Sequence, residues 1–163
     1  MSKQLAELHA VLAQLATEHQ RLLTQMDAQH AAMKKMDIPV MTELVHTQEA
    51  TRLRITGMDG RRKMLSRQLA MAMKVPGEPT LRQLADLYPQ SAPMLHKARL
   101  ELQEVVGRVA RRTQSSSRLS NAVLGHLNTV LRLVASAVER AGVYTRQGVP
   151  RMASRIGSMD AVG

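Results

Sequence analysis

A three-four alternation of apolar residues runs through three long stretches of the sequence, and it limits the fold more than any other feature. Residues that recur at three and four positions lie on one line of an α-helix, and long lines of this kind are typical of helices packed lengthwise. The pattern predicts long helices over about 3–35, 39–74 and 93–141, and a short helix over 80–88 between the breaks VPGEP and PQSAP. No segment shows a strand pattern. The expected fold class is therefore all-α, an elongated antiparallel bundle of three long helices with one short helix.

The boundaries of the first two long helices have local signals. Asp37 is a predicted N-cap for the second helix, and Pro39 stands where a first helical turn tolerates proline. Gly57 and Gly60 weaken the second helix, but its apolar pattern continues through them, which predicts one helix. We expect residues 1–144 to form a helical bundle domain and residues 145–163 to form a flexible basic tail.

The third long helix carries more apolar side chains than one packing line requires. One predicted inward line consists of Leu102, Val106, Val109, Thr113, Ser116, Ser120 and Val123, and it continues through Leu127, Val130 and Val134. A second line lies beside it and consists of Leu124, Leu131 and Val138. This second line has three possible uses at this stage: a further contact inside the bundle, a homodimer seam, or a surface for a partner helix.

Composition excludes several function classes. The chain has no Cys, and no apolar run approaches the roughly 18 residues that cross a bilayer. None of the six His pairs at helical metal-ligand spacing, and neither a phosphate-binding loop nor a GxSxG element is present. We therefore expect no catalytic residues, no metal, no cofactor and no small-molecule substrate. A cytoplasmic protein without membrane insertion is the expectation, because the N-terminus lacks the apolar core of a signal peptide.

The net charge of +10 is concentrated in the C-terminal part, where residues 97–163 contain 11 basic and 4 acidic groups. A basic surface attracts nucleic acid, anionic lipid or acidic protein. Single-strand binders stack bases on aromatic rings, and this chain has only two Tyr, no Phe and no Trp. Only nonspecific attraction to phosphate remains, so nucleic acid is not the expected partner.

Two segments resemble the flagellar type III export chaperones of the FlgN type. The first is LLTQMDAQHAAMKKMDIPVMTELVHTQEATRLRITGMDGRRKML (22–65), in which a long helix ends near an MDA-like segment and a second helix carries a QEA element. The second is NAVLGHLNTVLRLV…VYTRQG (121–148), with Asn-x-x-Leu, a second Asn, an apolar helix and a Tyr. Tyr144 is followed by Thr145, where the family has Gly.

The resemblance implies that the clients are hook–filament junction proteins, whose C-terminal helical segments bind the chaperone's C-terminal helix. It also implies delivery of these clients to components of the flagellar export apparatus. The candidate partner-binding residues are then Leu119, Asn121, Leu124, Asn128, Leu131, Arg132, Val138 and Tyr144. In this hypothesis Val123, Leu127, Val130 and Val134 pack inward, and the second line accepts the client helix.

Two other functions stay open at this point. One is a structural coiled-coil adaptor, which would bind partners other than flagellar subunits. The other is a basic helical protein that binds nucleic acid nonspecifically, with affinity that falls as salt rises.

Overall fold

The computed structural model describes the backbone of residues 3–142 and the side chains of residues 3–137, and the described residues contain four α-helices and no strand. A single 3₁₀ turn at Pro89–Ser91 precedes the last helix. The helices are α1 (Lys3–Lys35), α2 (Ile38–Ala72), α3 (Leu81–Leu87) and α4 (Ala92–Gly142). The predicted all-α class is confirmed, and each helix begins and ends within about two residues of its predicted bounds, the margin that helix assignment allows. The predicted tail, 145–163, lies outside the described residues.

The turn between α1 and α2 is built by backbone hydrogen bonds. The amide of Asp37 donates to the carbonyl of Ala32 at 3.0 Å, and that of Met36 donates to Met33 at 3.1 Å. The first bond is the six-to-one bond of a Schellman motif and the second is its five-to-two bond, and Met36 accordingly adopts the left-handed region, with φ of 57°. The Asp37 carboxylate then accepts from the amide of Val40 at 3.2 Å, so the predicted N-cap is confirmed.

α2 continues without interruption through Gly57 and Gly60, as the pattern predicted. Each glycine costs about 1 kcal/mol relative to alanine in a helix interior. A Cβ added at either position would meet nothing within 4 Å. The two glycines therefore weaken the helix without relieving any crowding among the described residues.

α1 and α2 form an antiparallel pair. Arg61 pairs with Glu7 near one end of the pair, Arg54 pairs with Glu18 at 3.0 Å nearer the middle, and Gln48 reaches Gln29 toward the other end. Each step forward along α2 is matched by a step back along α1. Exposed ion pairs of this kind contribute little to stability, but together they report the alignment of the two helices.

The core lies where the N-terminal half of α1 meets the C-terminal half of α2, α3 and the start of α4. Apolar side chains from all four helices are almost fully buried there: Leu5, Leu8, Leu12, Leu15, Leu65, Leu69, Leu84 and Leu95. Leu, Ala and Val supply this core because the chain has almost no aromatic residues. Thr80 and Gln83 cap α3 reciprocally, which fixes the short helix over this end of the core.

The inward line of α4 differs from the predicted line at alternate positions. Val105 is buried at 7% exposure, whereas the predicted Val106 is 43% exposed. Likewise Arg112 is half-buried and the predicted Thr113 is exposed. Leu95, Ala98, Leu102 and Val105 continue the observed line, so the prediction was displaced by one residue at these steps.

The chain divides into two compact units, Met1–Leu119 and Ser120–Gly163. In the first unit α4 contacts α1 through polar groups as well as through the core. Arg112 Nη2 lies 2.5 Å from Asp27 Oδ1, and Arg108 donates to Gln20 at 3.4 Å. Within the part of the chain that is described, no helix is long and apolar enough to span a bilayer.

Candidate partner-binding surface

Large apolar side chains of the second unit are exposed to solvent within one short stretch of α4. Leu124 is 58% exposed, Leu131 is 65% exposed and Leu133 is 64% exposed. Leu127, Val130 and Val134 are also exposed, each by more than 40% of its surface. Six exposed Leu and Val side chains in one short stretch require an explanation, because contiguous exposed apolar surface on a protein marks interaction sites.

Five of these side chains share one side of the helix. At about 100° per residue, Leu124, Leu127, Val130, Leu131 and Val134 lie within an arc of about 120°. We call this set the α4 apolar face. Leu133 lies about 160° from Leu131 on the same projection and is separate from the face. An arc of this width is what an amphipathic helix presents to a packing partner.

The structure corrects one part of the sequence hypothesis. Leu127, Val130 and Val134 were expected to pack inward, but they are exposed. Between residues 124 and 134 the two predicted lines therefore form one continuous exposed surface. The sequence contained a signal for this exposure, because the two lines are adjacent on the helical projection. Two adjacent apolar lines form one broad apolar face when no other segment covers them.

Polar residues border the α4 apolar face on the side of Leu124. Asn121, Asn128 and Arg132 are all exposed and lie within about 80° of Leu124 on the helical projection. Amide groups in this position can donate and accept hydrogen bonds at the edge of an apolar contact. Three predicted site residues are therefore brought beside Leu124 and Leu131.

The remaining predicted site residues are not part of this surface as the structure describes it. Leu119 is half-buried and ends the first unit. Val138 occupies a helical position in α4, but its side chain lies outside the described residues, and Tyr144 lies outside them altogether. These three assignments stay predictions.

The charge around this part of α4 has one sign. The sequence contains no Asp or Glu from Val105 to Val138, whereas it contains five Arg over the same range. Two of them, Arg108 and Arg112, already contact Gln20 and Asp27 of α1. Arg132 is exposed in the second unit and borders the α4 apolar face on the helical projection. The surface thus favours a neutral or acidic partner over a basic one.

The first unit contains a groove of about 600 Å³ between α1, α2 and α4, and its walls are largely apolar. Leu15, Ile55 and Leu102 line it, with Asp59, Arg62 and Lys63 at its edge. Partial burial raises the pKa of Asp59, but hydrogen bonds and charges from Arg62 and Lys63 outweigh that effect and hold the pKa below its ordinary value. Asp59 Oδ1 lies 2.7 Å from Arg62 Nε and its Oδ2 lies 3.2 Å from Lys63 Nζ, so both ion pairs are formed within α2.

No metal-binding group of three or more His, Asp or Glu occurs among the described residues. The α4 apolar face is the strongest candidate for a functional surface, because its apolar side chains are contiguous and exposed.

Comparison with known protein families gives a match that covers most of the chain. The family model described as "FlgN protein" matches residues 1–151, which is most of the chain. No curated protein and no solved structure matches the sequence.

Proposed function

The chain belongs to the FlgN family of flagellar export chaperones, and from this premise we propose that it binds the C-terminal helices of hook–filament junction proteins. In this proposal it keeps these clients unassembled and delivers them to the flagellar export apparatus. The client helix binds along the α4 apolar face in helix-in-groove fashion.

The observation that carries the proposal is the exposure of the whole face. Leu124 and Leu131 are more than half exposed, and Leu127, Val130 and Val134 extend the same surface. An apolar surface of this kind lowers its free energy when another apolar helix face covers it. A chaperone for helical segments that must not assemble early requires such a surface.

The size of the face is adequate for specific binding. Because these five Leu and Val side chains are already about half covered, their burial by a client helix contributes roughly 4–8 kcal/mol before the cost of association is subtracted. Micromolar affinity requires about 8 kcal/mol, and apolar side chains of the client add to the contribution. We expect the central pair, Leu127 and Leu131, to contribute most, because binding energy concentrates where water is excluded.

The polar border gives direction and selectivity. Asn121 and Asn128 are positioned to hydrogen-bond polar groups at the edge of the client helix. Arg132 attracts carboxylates, and no acidic residue from Val105 to Val138 opposes that attraction. A client helix with acidic residues beside its apolar stripe is therefore the preferred type.

Further parts of the sequence hypothesis belong to the same proposal. Leu119, Val138 and Tyr144 extend the client contact at its two ends. Residues 1–144 act as the chaperone domain, which contains the long helices α1, α2 and α4. The protein works in the cytoplasm by binding alone, without a catalytic step or cofactor.

A pair of matched variants tests the client face. Leu131→Asp places a carboxylate at its centre, whereas Leu133→Asp places the same group at an equally exposed position on another side of α4. By isothermal titration calorimetry against a purified junction protein, we expect Leu131→Asp to weaken binding by at least about 100-fold, because a buried unpaired charge is costly. Leu133→Asp should change the dissociation constant by less than about threefold.

Circular dichroism of both variants provides the control for folding. Both should retain wild-type helicity and a similar Tm, because neither side chain is buried in the free chain. Equal loss of client binding in both variants would contradict the proposal. If Leu131→Asp instead turned a dimer into a monomer that still bound the client, the face would be a homodimer seam.

A further inference from the structure

α2 also presents an exposed apolar surface, on a side that the described core does not use. Leu53 is 65% exposed, Met64 is 49% exposed and Met71 is 71% exposed. With Gly57 and Gly60 between them, these residues follow a three-four spacing on one side of the helix. We call the set the α2 outer face, and it is turned away from the buried Thr51, Leu65 and Leu69.

The order of residues on this face is close to symmetric about a point between Met58 and Asp59. If a second α2 lies antiparallel with its centre at that point, Gly57 meets Gly60, and Leu53 meets Met64 of the other copy. The same reversal places His46 opposite Met71. A surface that complements itself in this way fits a two-fold dimer, in which each contact occurs twice.

The charged residues beside the face are also complementary when two copies of α2 lie antiparallel. Glu49 is exposed and forms no ion pair among the described residues. Glu49 and Arg67 lie on the same flank of α2, and the antiparallel arrangement places Glu49 of one copy next to Arg67 of the other. Arg67 also pairs with Glu78 at 2.7 Å in its own chain, but a guanidinium has five N–H donors and can serve both carboxylates.

The glycines then gain a role that the single chain does not give them. A Cβ at Gly57 or Gly60 would meet nothing within 4 Å, so no neighbour in the chain requires glycine there. At the crossing point of two helices, glycine allows the backbones to approach more closely than any other residue. We propose that the α2 outer face binds α2 of a second copy of this chain, antiparallel, in a two-fold dimer.

Substituting both glycines separates this proposal from a purely local role. Gly57→Ala and Gly60→Ala remove glycine from a helix interior, so each should raise the Tm of the separated chain by roughly 2–4 °C. The two methyl groups stand at the crossing point, so the double variant should dimerise at least about tenfold more weakly. Sedimentation equilibrium on the full chain measures the dissociation constant, and calorimetry at low concentration measures the Tm.

A second pair of variants tests the apolar contact without changing the glycines. Leu53→Glu should weaken dimerisation at least about tenfold, since it places a carboxylate against Met64 of the other copy. Val45→Glu is the matched control, because Val45 is 51% exposed on α2 but lies to one side of the face. It should leave the dissociation constant unchanged within about twofold.

Three results would overturn the proposal. The first is a wild-type chain that stays monomeric at about 100 µM, a concentration that detects even weak association. The second is a dimer that both the double glycine variant and Leu53→Glu leave intact. The third is equal weakening by Leu53→Glu and Val45→Glu, which would place the contact elsewhere.

Discussion

Gln48 of α2 donates a hydrogen bond from Nε2 to Oε1 of Gln29 in α1, with 3.0 Å between the two atoms. Gln48 is buried, and its Nε2 also lies 3.4 Å from the carbonyl oxygen of Gln25. The buried residues of α1 are all apolar, whereas α2 also buries Thr51 and Ser66. The Gln48–Gln29 pair favours one alignment of the two helices, because any other register leaves these amide groups without each other as partners.

The first prediction concerns that pair. Gln48→Leu alone leaves Gln29 without its donor, and Gln29→Leu alone leaves Gln48 with only the longer contact to the Gln25 carbonyl, so each single variant loses the bond between the two side chains. Gln29→Leu/Gln48→Leu replaces both groups with apolar side chains and should be more stable than the two single effects predict. Urea denaturation of the four chains should give a coupling energy of about 1 kcal/mol. Additive effects would show that the two side chains do not act together.

The second prediction concerns the end of α1. Met36 has a φ of 57°, a conformation that costs an L-residue other than glycine roughly 1–2 kcal/mol. About half of the Met36 surface is exposed, so its side chain contributes less to packing than a core residue does. Met36→Gly should therefore raise the free energy of unfolding by about 0.5–1 kcal/mol. Lys35→Gly, one residue earlier and inside α1, should lower it, and the same sign for both variants would contradict this account.

The third prediction concerns acid stability. Since the pKa of Asp59 lies below its ordinary value of 3.8, the folded chain binds this proton less readily than the unfolded chain. The stabilisation is complete above pH 3.8 and is lost as the pH falls through the lowered pKa. The Tm of the wild-type chain should thus fall more between about pH 6 and pH 2 than that of Asp59→Asn. Scanning calorimetry at both pH values checks the difference, and identical shifts would show that Asp59 contributes nothing.

Much of the fold was predictable because local signals and periodicity agreed. The N-cap at Asp37, the continuation of α2 through Gly57 and Gly60, and the break before Thr80 each follow from residue type and spacing. The residues of α4 that face inward could not be predicted in the same way, because Val105 and Val106 both fit a three-four pattern. Only the positions of α1 and α2 decide between the two valines, and a single helix pattern does not contain those positions.

For a related reason, the sequence predicted which residues of the candidate surface are apolar but not which of them are exposed. Periodicity correctly located apolar residues such as Leu124 and Leu131 on α4, but it could not tell which of them another segment covers. Val130 and Val134 were assigned inward because they lie four positions apart, like core residues such as Leu8 and Leu12. The exposure of an apolar side chain depends on which segment of the fold packs against it, and the periodicity of one helix does not contain that information.

The most direct test of the client face uses the absence of cysteine in the chain. Leu131→Cys and Leu133→Cys each introduce the only thiol, at two positions of nearly equal exposure, 65% and 64%. Alkylation rates of the two variants should be similar in the free chaperone. With saturating junction protein, the account predicts that alkylation at 131 slows at least about tenfold and that alkylation at 133 changes by less than about twofold. Unchanged alkylation at 131 in a complex that still forms would contradict the assignment of the α4 apolar face as the client site.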